Sequence, residues 1–363
     1  MIKIKEYFLK NWKLFVSLFI LSTLSLLMLA SLSMNKTDNL DAFYRQFIFL
    51  IISCVFLWFF AKLDYNFLKN HSSFSLIFYL VWLIMLGLLL IVGQTTRGIT
   101  GWFKLGFFSV QPVEFMKIAL IVLLSKILYD KKSEIWNLIN IIKTGIFVGI
   151  PCILALLQPD LGSVIIMFLI WLMILIVCDL RLRHLILILL IIFSIGFVGF
   201  KYVLHDYQRN RLISFINPNL DPTGLNYNQR QSVIAIGSGR LWGKGLGWGT
   251  QTQLQFLPES KTDFIFASIS EELGLIGVSI LLLGFLLMYS YFWDVITFTK
   301  NNFSKLIIVG LWVKIFVEMV INIGVNIGFL PVIGIALPFV SLGGSHLIVD
   351  FIMLGIVLNI NNR

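Results

Sequence analysis

Apolar runs of close to twenty residues recur along the chain, separated by polar connections that are mostly short. A run of that length is what an α-helix needs to cross about 30 Å of hydrocarbon, at about 1.5 Å of rise per residue. The pattern predicts ten such segments: 12–34, 43–61, 74–93, 113–129, 138–157, 162–179, 184–204, 264–293, 305–328 and 337–360. The fourth is the most interrupted, because it carries Glu114 and Lys117. One connection is long, a polar stretch over 205–263 between the seventh and eighth segments. The expected fold is therefore an all-α polytopic membrane protein: one integral domain over 1–363 with one large loop. The first run follows Lys3, Lys5, Lys10 and Lys13. It outlasts the apolar core of about 7–15 residues in a cleavable signal, so it is read as a retained helix.

Composition agrees. Of 363 residues, 58% are hydrophobic and 13% charged, with a mean hydropathy of +0.93; soluble domains carry about 25% charged residues. The net charge of +10 does not point to nucleic acid, because the basic residues are scattered between apolar runs. They do sort by side. Lys3 to Lys13, Lys62, Lys69, Lys126, Lys131, Lys132, Arg181, Arg183, Lys300, Lys305 and Arg363 fall on one set of connections and ends. The other short connections hold only Lys36, Arg97 and Lys104, with Arg45 at a boundary. By the positive-inside rule both termini are cytoplasmic and the long loop faces outward. That loop holds Arg209, Arg211, Arg230, Arg240, Lys244 and Lys261. Long loops escape the rule, and an anionic ligand outside the membrane would give these charges a purpose. Cys54, Cys152 and Cys178 lie in apolar runs without metal or disulfide spacing. No internal repeat is evident, which weakens an inverted-repeat transporter.

The candidate chemistry sits at the ends of the runs. "GKGLGWGTQTQLQFLPESKTDFIF" (243–266) is rich in glycine, but it fits neither a dinucleotide fingerprint nor a phosphate-binding P-loop. It reads either as a plain flexible loop or as backbone folded close to a bulky ligand, with Lys244 near phosphates. Asp263 stands where the next apolar run begins. It suits a helix N-cap and equally a half-desolvated general base. Glu114 and Lys117, three apart near the outer end of the fourth segment, are either a structural ion pair or functional intramembrane charges. Gln158 and Asp160, in "QPDLGS", suit a turn or an outer mouth. Lys314, Glu318, Asn322 and Asn326 form one polar stripe at i+4 steps, as packing glue or as the lining of a cavity. His346 and Asp350 are also four apart; with no third ligand evident, no metal site is expected.

Several blocks together resemble a known family. These are "YQRNRLISFINPNLDPTGLNYNQRQSVIAIGSG", the 243–266 segment with "ASISEELGLIG", "QPVEFMK", "QPDLGS" and "GFLPVIGIALPFVSLGGS". In order and over nearly the whole chain they resemble the SEDS family of bacterial cell-wall polymerases. "GTQTQLQFLPE" is more similar to the rod-shape (RodA) branch than to the division (FtsW) branch. The resemblance implies a peptidoglycan glycosyltransferase of the bacterial plasma (inner) membrane, polymerising lipid II during elongation. Its partners would be a class B penicillin-binding protein (a transpeptidase), lipid II, an undecaprenyl-pyrophosphate-linked glycan and the elongation machinery. It places the family's essential acidic residue on Asp263, its tryptophan on Trp102, its Glu/Lys pair on Glu114 and Lys117, and its Gln-Pro-Asp aspartate on Asp160.

There are departures from the family pattern. Val113 stands for serine and Gly101 for arginine. Gly239-Arg240 replaces a Gly-Gly. Ala336, Leu342 and His346 replace proline, tyrosine and serine. None touches Asp263.

The implied reaction inverts the donor sugar by direct displacement, with Asp263 as the base. Lys117, Arg209, Arg211 and Lys244, in that order, are candidates to face the departing pyrophosphate. No cofactor is evident, though a magnesium or manganese ion would suit the pyrophosphate. The rival readings are a lipid II flippase, the division-type polymerase and a scaffold for the transpeptidase.

Overall fold

The computed structural model describes residues 9–34, 40–63, 72–96, 99–105, 108–130, 138–202, 209, 215 and 226–362. Three helices come first: α1 (Trp12–Met34), α2 (Asp41–Lys62) and α3 (Ser72–Val92). Three short strands follow: β1 (Gln94–Thr96), β2 (Ile99–Leu105) and β3 (Phe108–Val110). The chain then returns to helix with α4 (Pro112–Asp130), α5 (Leu138–Leu157), α6 (Leu161–Val177) and α7 (Leu182–Tyr202). Two shorter helices, α8 (Tyr227–Gly239) and α9 (Thr250–Gln253), lie within the predicted outer loop. The last three are α10 (Ile265–Phe298), α11 (Asn302–Asn326) and α12 (Gly344–Asn361).

Every predicted segment forms a helix, but they are not equivalent. Among the described residues seven, α1, α2, α3, α5, α10, α11 and α12, are long and apolar enough to span a membrane. α6 has 17 residues, and α7 has 21. α4 carries Glu114, Lys117, Lys126 and Asp130. It tolerates the first two because they are buried against other helices rather than lipid.

The all-α expectation holds for the bundle, and the strands are a small addition to it. They form an antiparallel sheet in the order β1-β2-β3, with Gln94 opposite Trp102 and Phe103 opposite Val110. Thr95, Thr96, Ile99, Thr100, Trp102 and Phe103 favour strands. Runs of three to seven residues are too short to stand out by periodicity beside twenty-residue helices.

α11 and α12 are the centre of the bundle. About three quarters of their apolar stretches are buried (72% and 78%), against 11% in α2 and 22% in α3. Small residues let the central helices approach their neighbours. A Cβ added at Gly310 of α11 would stand 2.6 Å from Ile121 of α4 and 3.3 Å from Ile174 of α6. One at Gly355 of α12 would stand 2.7 Å from the Leu57 carbonyl of α2. Asn359 of α12 donates to the Phe60 and Ala61 carbonyls (3.2 and 3.0 Å), which lie in the last turn of α2, where helical partners run out.

Candidate functional site

α10 is the frame on which the end of the bundle near Asp263 is built. Its 34 residues are two helical stretches that meet at a kink. It is broken at Gly274 (φ 63°, ψ −159°). The glycine-rich loop packs into that break, backbone on backbone. Lys244 N donates to the Glu271 carbonyl (2.9 Å) and Gly245 N to that of Glu272 (3.0 Å). In return, Leu275 N donates to the Arg240 carbonyl (2.9 Å). A Cβ on Gly243 would lie 2.1 Å from the Glu272 carbonyl oxygen, and one on Gly274 would lie 2.3 Å from Gly243 N. These glycines therefore serve close approach, which corrects the flexible-loop reading.

Two adjacent carboxylates, not singled out in the sequence, hold the rest of the loop. Glu271 accepts from Gln251 N (2.9 Å), Thr252 N (3.0 Å) and Lys244 Nζ (3.0 Å), so it caps α9 from another helix. Glu272 accepts from Ser31 of α1, Gln253 Nε2 (2.7 Å) and Gly247 N (3.3 Å). Both are buried. The signal for them was their position in an apolar run, where acidic residues are costly without donors. Trp242 and Trp248 project from the same loop, 79% and 78% exposed, as indoles do at a membrane–water interface.

Asp263 lies just ahead of α10 and is half-buried. The three carbonyls leading into the helix are each held by a different donor from the α11–α12 region. Leu342 N donates to the Lys261 carbonyl (3.0 Å) and Ser341 Oγ to that of Thr262 (2.6 Å). The Asp263 carbonyl accepts from Asn322 Nδ2 (2.9 Å) and Asn326 Nδ2 (3.0 Å). The N-cap position belongs to Phe264, which has no side-chain cap. The Asp263 carboxylate faces Gly334, where an added Cβ would stand 3.8 Å from Oδ2.

Deeper in the bundle, α4, α11 and α12 share one network of buried charge. Lys117 pairs with Glu114 (2.7 Å) and Glu318 (2.8 Å). Lys314 pairs with Glu318 (2.9 Å), Asp350 and, more distantly, Glu114 (3.6 Å). His346 reaches Glu318 (3.2 Å) and Asp350 (3.3 Å). The expected Glu114–Lys117 pair thus belongs to a six-residue cluster. A three-ligand group also appears, built on His346 but without Asp350: atoms of Glu114, Glu318 and His346 lie within 4.8 Å of one another. The same carboxylates already hold two ammonium groups, and a cation would have to displace them.

The other predicted residues are dispersed. Trp102 is half-buried on β2, in the sheet rather than in the cluster. Asp160 is the N-cap of α6, accepting from Ser163 N (3.0 Å) and Ser163 Oγ (2.7 Å). Burial pushes its carboxyl above the usual range, against those two bonds. Lys244 is committed to Glu271 and Thr250. Arg209 is exposed, and Arg211 lies outside the described residues. A cavity of about 920 Å³ is lined by Tyr129, Asp179, Trp293, Lys305 and Trp312, at the far ends of α10 and α11 from Asp263.

The family model described as cell cycle protein, FtsW/RodA/SpoVE, matches residues 11–363. The peptidoglycan glycosyltransferase MrdB of Escherichia coli (strain K12) is 38% identical over 295 residues, 81% of this chain and 80% of that protein. Stage V sporulation protein E of Bacillus subtilis (strain 168) is 34% identical, covering 94% of both. The probable peptidoglycan glycosyltransferase FtsW of Coxiella burnetii is 35% identical, covering 94% and 93%. Among solved structures, a chain from one described as "Structural coordination of polymerization and crosslinking by a peptidoglycan synthase complex" superimposes with a TM-score of 0.80. It is 25% identical and covers 96% of this chain and 97% of that one. The rod shape determining protein RodA of Thermus thermophilus gives 0.70 at 25% identity, covering 95% of both.

Proposed function

The chain belongs to the FtsW/RodA/SpoVE family of cell cycle proteins, and on that premise we infer a peptidoglycan glycosyltransferase that polymerises lipid II at the outer face of the plasma membrane. The observation that carries this reading is the placement of Asp263. A half-buried carboxylate stands at the outer end of a membrane-spanning helix, with the three carbonyls beside it held from outside the turn. Lipid II is amphipathic, so its sugars and its tail demand a site at such a boundary. Holding both sugars there lowers the entropic cost of attack.

In the reaction, the 4-hydroxyl oxygen of the incoming lipid II attacks the anomeric carbon of the growing glycan. The bond from that carbon to pyrophosphate breaks, and the pyrophosphate keeps the electron pair. Asp263 takes the hydroxyl proton as the new bond forms, and the α-linked donor becomes a β-linked product. Lys244 is the more accessible lysine for the departing charge, with 28% of its side chain exposed against 2% for Lys117. Arg209 is exposed on the same outer stretch. A magnesium or manganese ion would share that charge on the phosphate oxygens. The Glu114–Glu318–His346 group does not fit it as it stands, because Lys117 and Lys314 neutralise those carboxylates.

The proposed partner is a class B penicillin-binding protein; the reading is supported by the likeness to a chain from a peptidoglycan synthase complex described as coordinating polymerization and crosslinking. Both termini are placed in the cytoplasm, on the Lys- and Arg-rich side. Elongation is the proposed use, supported by the likeness to the rod shape determining protein RodA. Division is the second reading, because FtsW relatives match over more of the chain (94% against 81%).

The test is polymerisation of labelled lipid II by the purified full chain in detergent. Wild type should make glycan strands, and Asp263→Ala and Asp263→Asn should make none while remaining folded. Full activity in either variant overturns the base assignment. No glycan from wild type, with lipid II moved only across sealed vesicles, would instead establish the flippase.

A further inference from the structure

Asn326 does more than donate to the Asp263 carbonyl. Its Oδ1 also accepts from Ala267 N (3.1 Å), while its Nδ2 donates to the Asp263 carbonyl (3.0 Å). Residues 263 and 267 are four apart. In a regular helix the amide of 267 would bond directly to the carbonyl of 263, and residue 263 would be the N-cap. One side-chain amide has been inserted into that single rung. The next rung is ordinary, Ser268 N to the Phe264 carbonyl (3.2 Å). The helix therefore begins one residue late, and the cap position falls on Phe264.

Asp is among the best N-cap residues, because its carboxylate accepts from the amides of the first turn. An aspartate at residue 263 would, by default, turn its carboxylate onto its own helix. The insertion removes that default. Asn322 supports it by donating both to the Asp263 carbonyl (2.9 Å) and to the Ile335 carbonyl (2.8 Å). Asn326 is itself anchored, with Nδ2 donating to the Asn322 carbonyl (2.8 Å) and Ser232 Oγ donating to the Asn326 carbonyl (2.8 Å). Both asparagines are buried. An amide suits the position because it donates to a carbonyl and accepts from an N–H at once.

We propose that Asn326, with Asn322, is a positioning residue for catalysis: its amide occupies the first rung of α10 and so keeps Asp263 out of the N-cap, with its carboxylate turned toward substrate. The proposal rests on the reading of Asp263 as the base.

The experiment measures kcat and KM for labelled lipid II, and thermal unfolding, in the purified full chain. The variants are Asn326→Ala, Asn322→Ala, Asn326→Ser and Asp263→Asn. Asn326→Ala should lower kcat at least tenfold with KM within twofold. Its unfolding temperature should not fall, because the helix recovers its direct rung and gains an aspartate cap. Asn322→Ala should lower kcat less. Asn326→Ser, whose hydroxyl can both donate and accept, should recover part of the loss, and it carries the test if the alanine variant does not fold. Wild-type kcat in folded Asn326→Ala, with Asp263→Asn inactive, overturns this proposal alone. So does a loss of kcat that merely follows a loss of thermal stability. Wild-type kcat in Asp263→Asn overturns the base reading, and this proposal with it.

Discussion

The two ends of one stripe on α11 make opposite use of polarity. At the inner end, Lys314 and Glu318 face other charged side chains, Glu114, Lys117, His346 and Asp350. At the outer end, two turns on, Asn322 and Asn326 face backbone carbonyls. The spacing is the same i+4 throughout. What changes is the surroundings. Deep in the bundle an ion is tolerable only with counter-ions, so charges gather into a self-contained cluster. At the mouth the groups to be held are main-chain carbonyls, for which a neutral amide is the better partner. Polarity in the first place holds helices together, and in the second it shapes a turn.

Breaking the inner end should have the largest effect. Lys314→Met leaves Asp350 and Glu318 without their shared ammonium, both fully buried. Removing one partner of a buried pair costs about 3–5 kcal/mol. Thermal unfolding in detergent should show this, and Asp350→Leu in the same chain should restore part of it. An unchanged unfolding temperature would mean the cluster is not holding α11 to α12.

The glycine-loop carboxylate comes next. Glu271→Ala strands the amides of Gln251 and Thr252 and frees Lys244. Each hydrogen bond to a charged group is worth about 1.5–3 kcal/mol, and the part-exposed donors recover water, so the net loss should be about that of one such bond. It should be local, read as faster proteolysis or amide exchange over 240–256, with the inner cluster intact.

The smallest effect sharpens the same contrast at α6. Asp160→Ala loses a cap worth about 1 kcal/mol. Asp160→Asn should cost less, because an amide oxygen still accepts from Ser163 N while the buried charge is gone. The sign can be checked by pH. Burial raises this carboxyl in the folded state, so its contribution is fully present below the unfolded value of about 3.9 and is lost as pH rises through the raised one. Asp160→Asn should flatten that slope.

Much of this was legible in the residues. The apolar runs place every long helix to within a few residues, except at the end of α10, where the expected 293 becomes 298, and at the start of α12, where the expected 337 becomes 344. The stripe on α11 and the boundary position of Asp263 were visible as spacing. Three things were not. The sheet over 94–110 is made of runs too short to read by period. Glu271 and Glu272 look like misplaced charge until the loop's amides come round to meet them. The loop glycines look flexible because a sequence records the absence of a side chain and not the backbone that occupies its space.

The chain's own pattern therefore determined the membrane class, the helices and the family. Each rests on local quantities: the length of an apolar run and the order of motifs. The tertiary structure alone decided which polar groups meet. Lys117 finds Glu318 across 201 positions, and Asn326 finds Asp263 across 63. Those pairings depend on how the helices pack, and they separate a charge that glues the bundle from an amide that holds a candidate base in place.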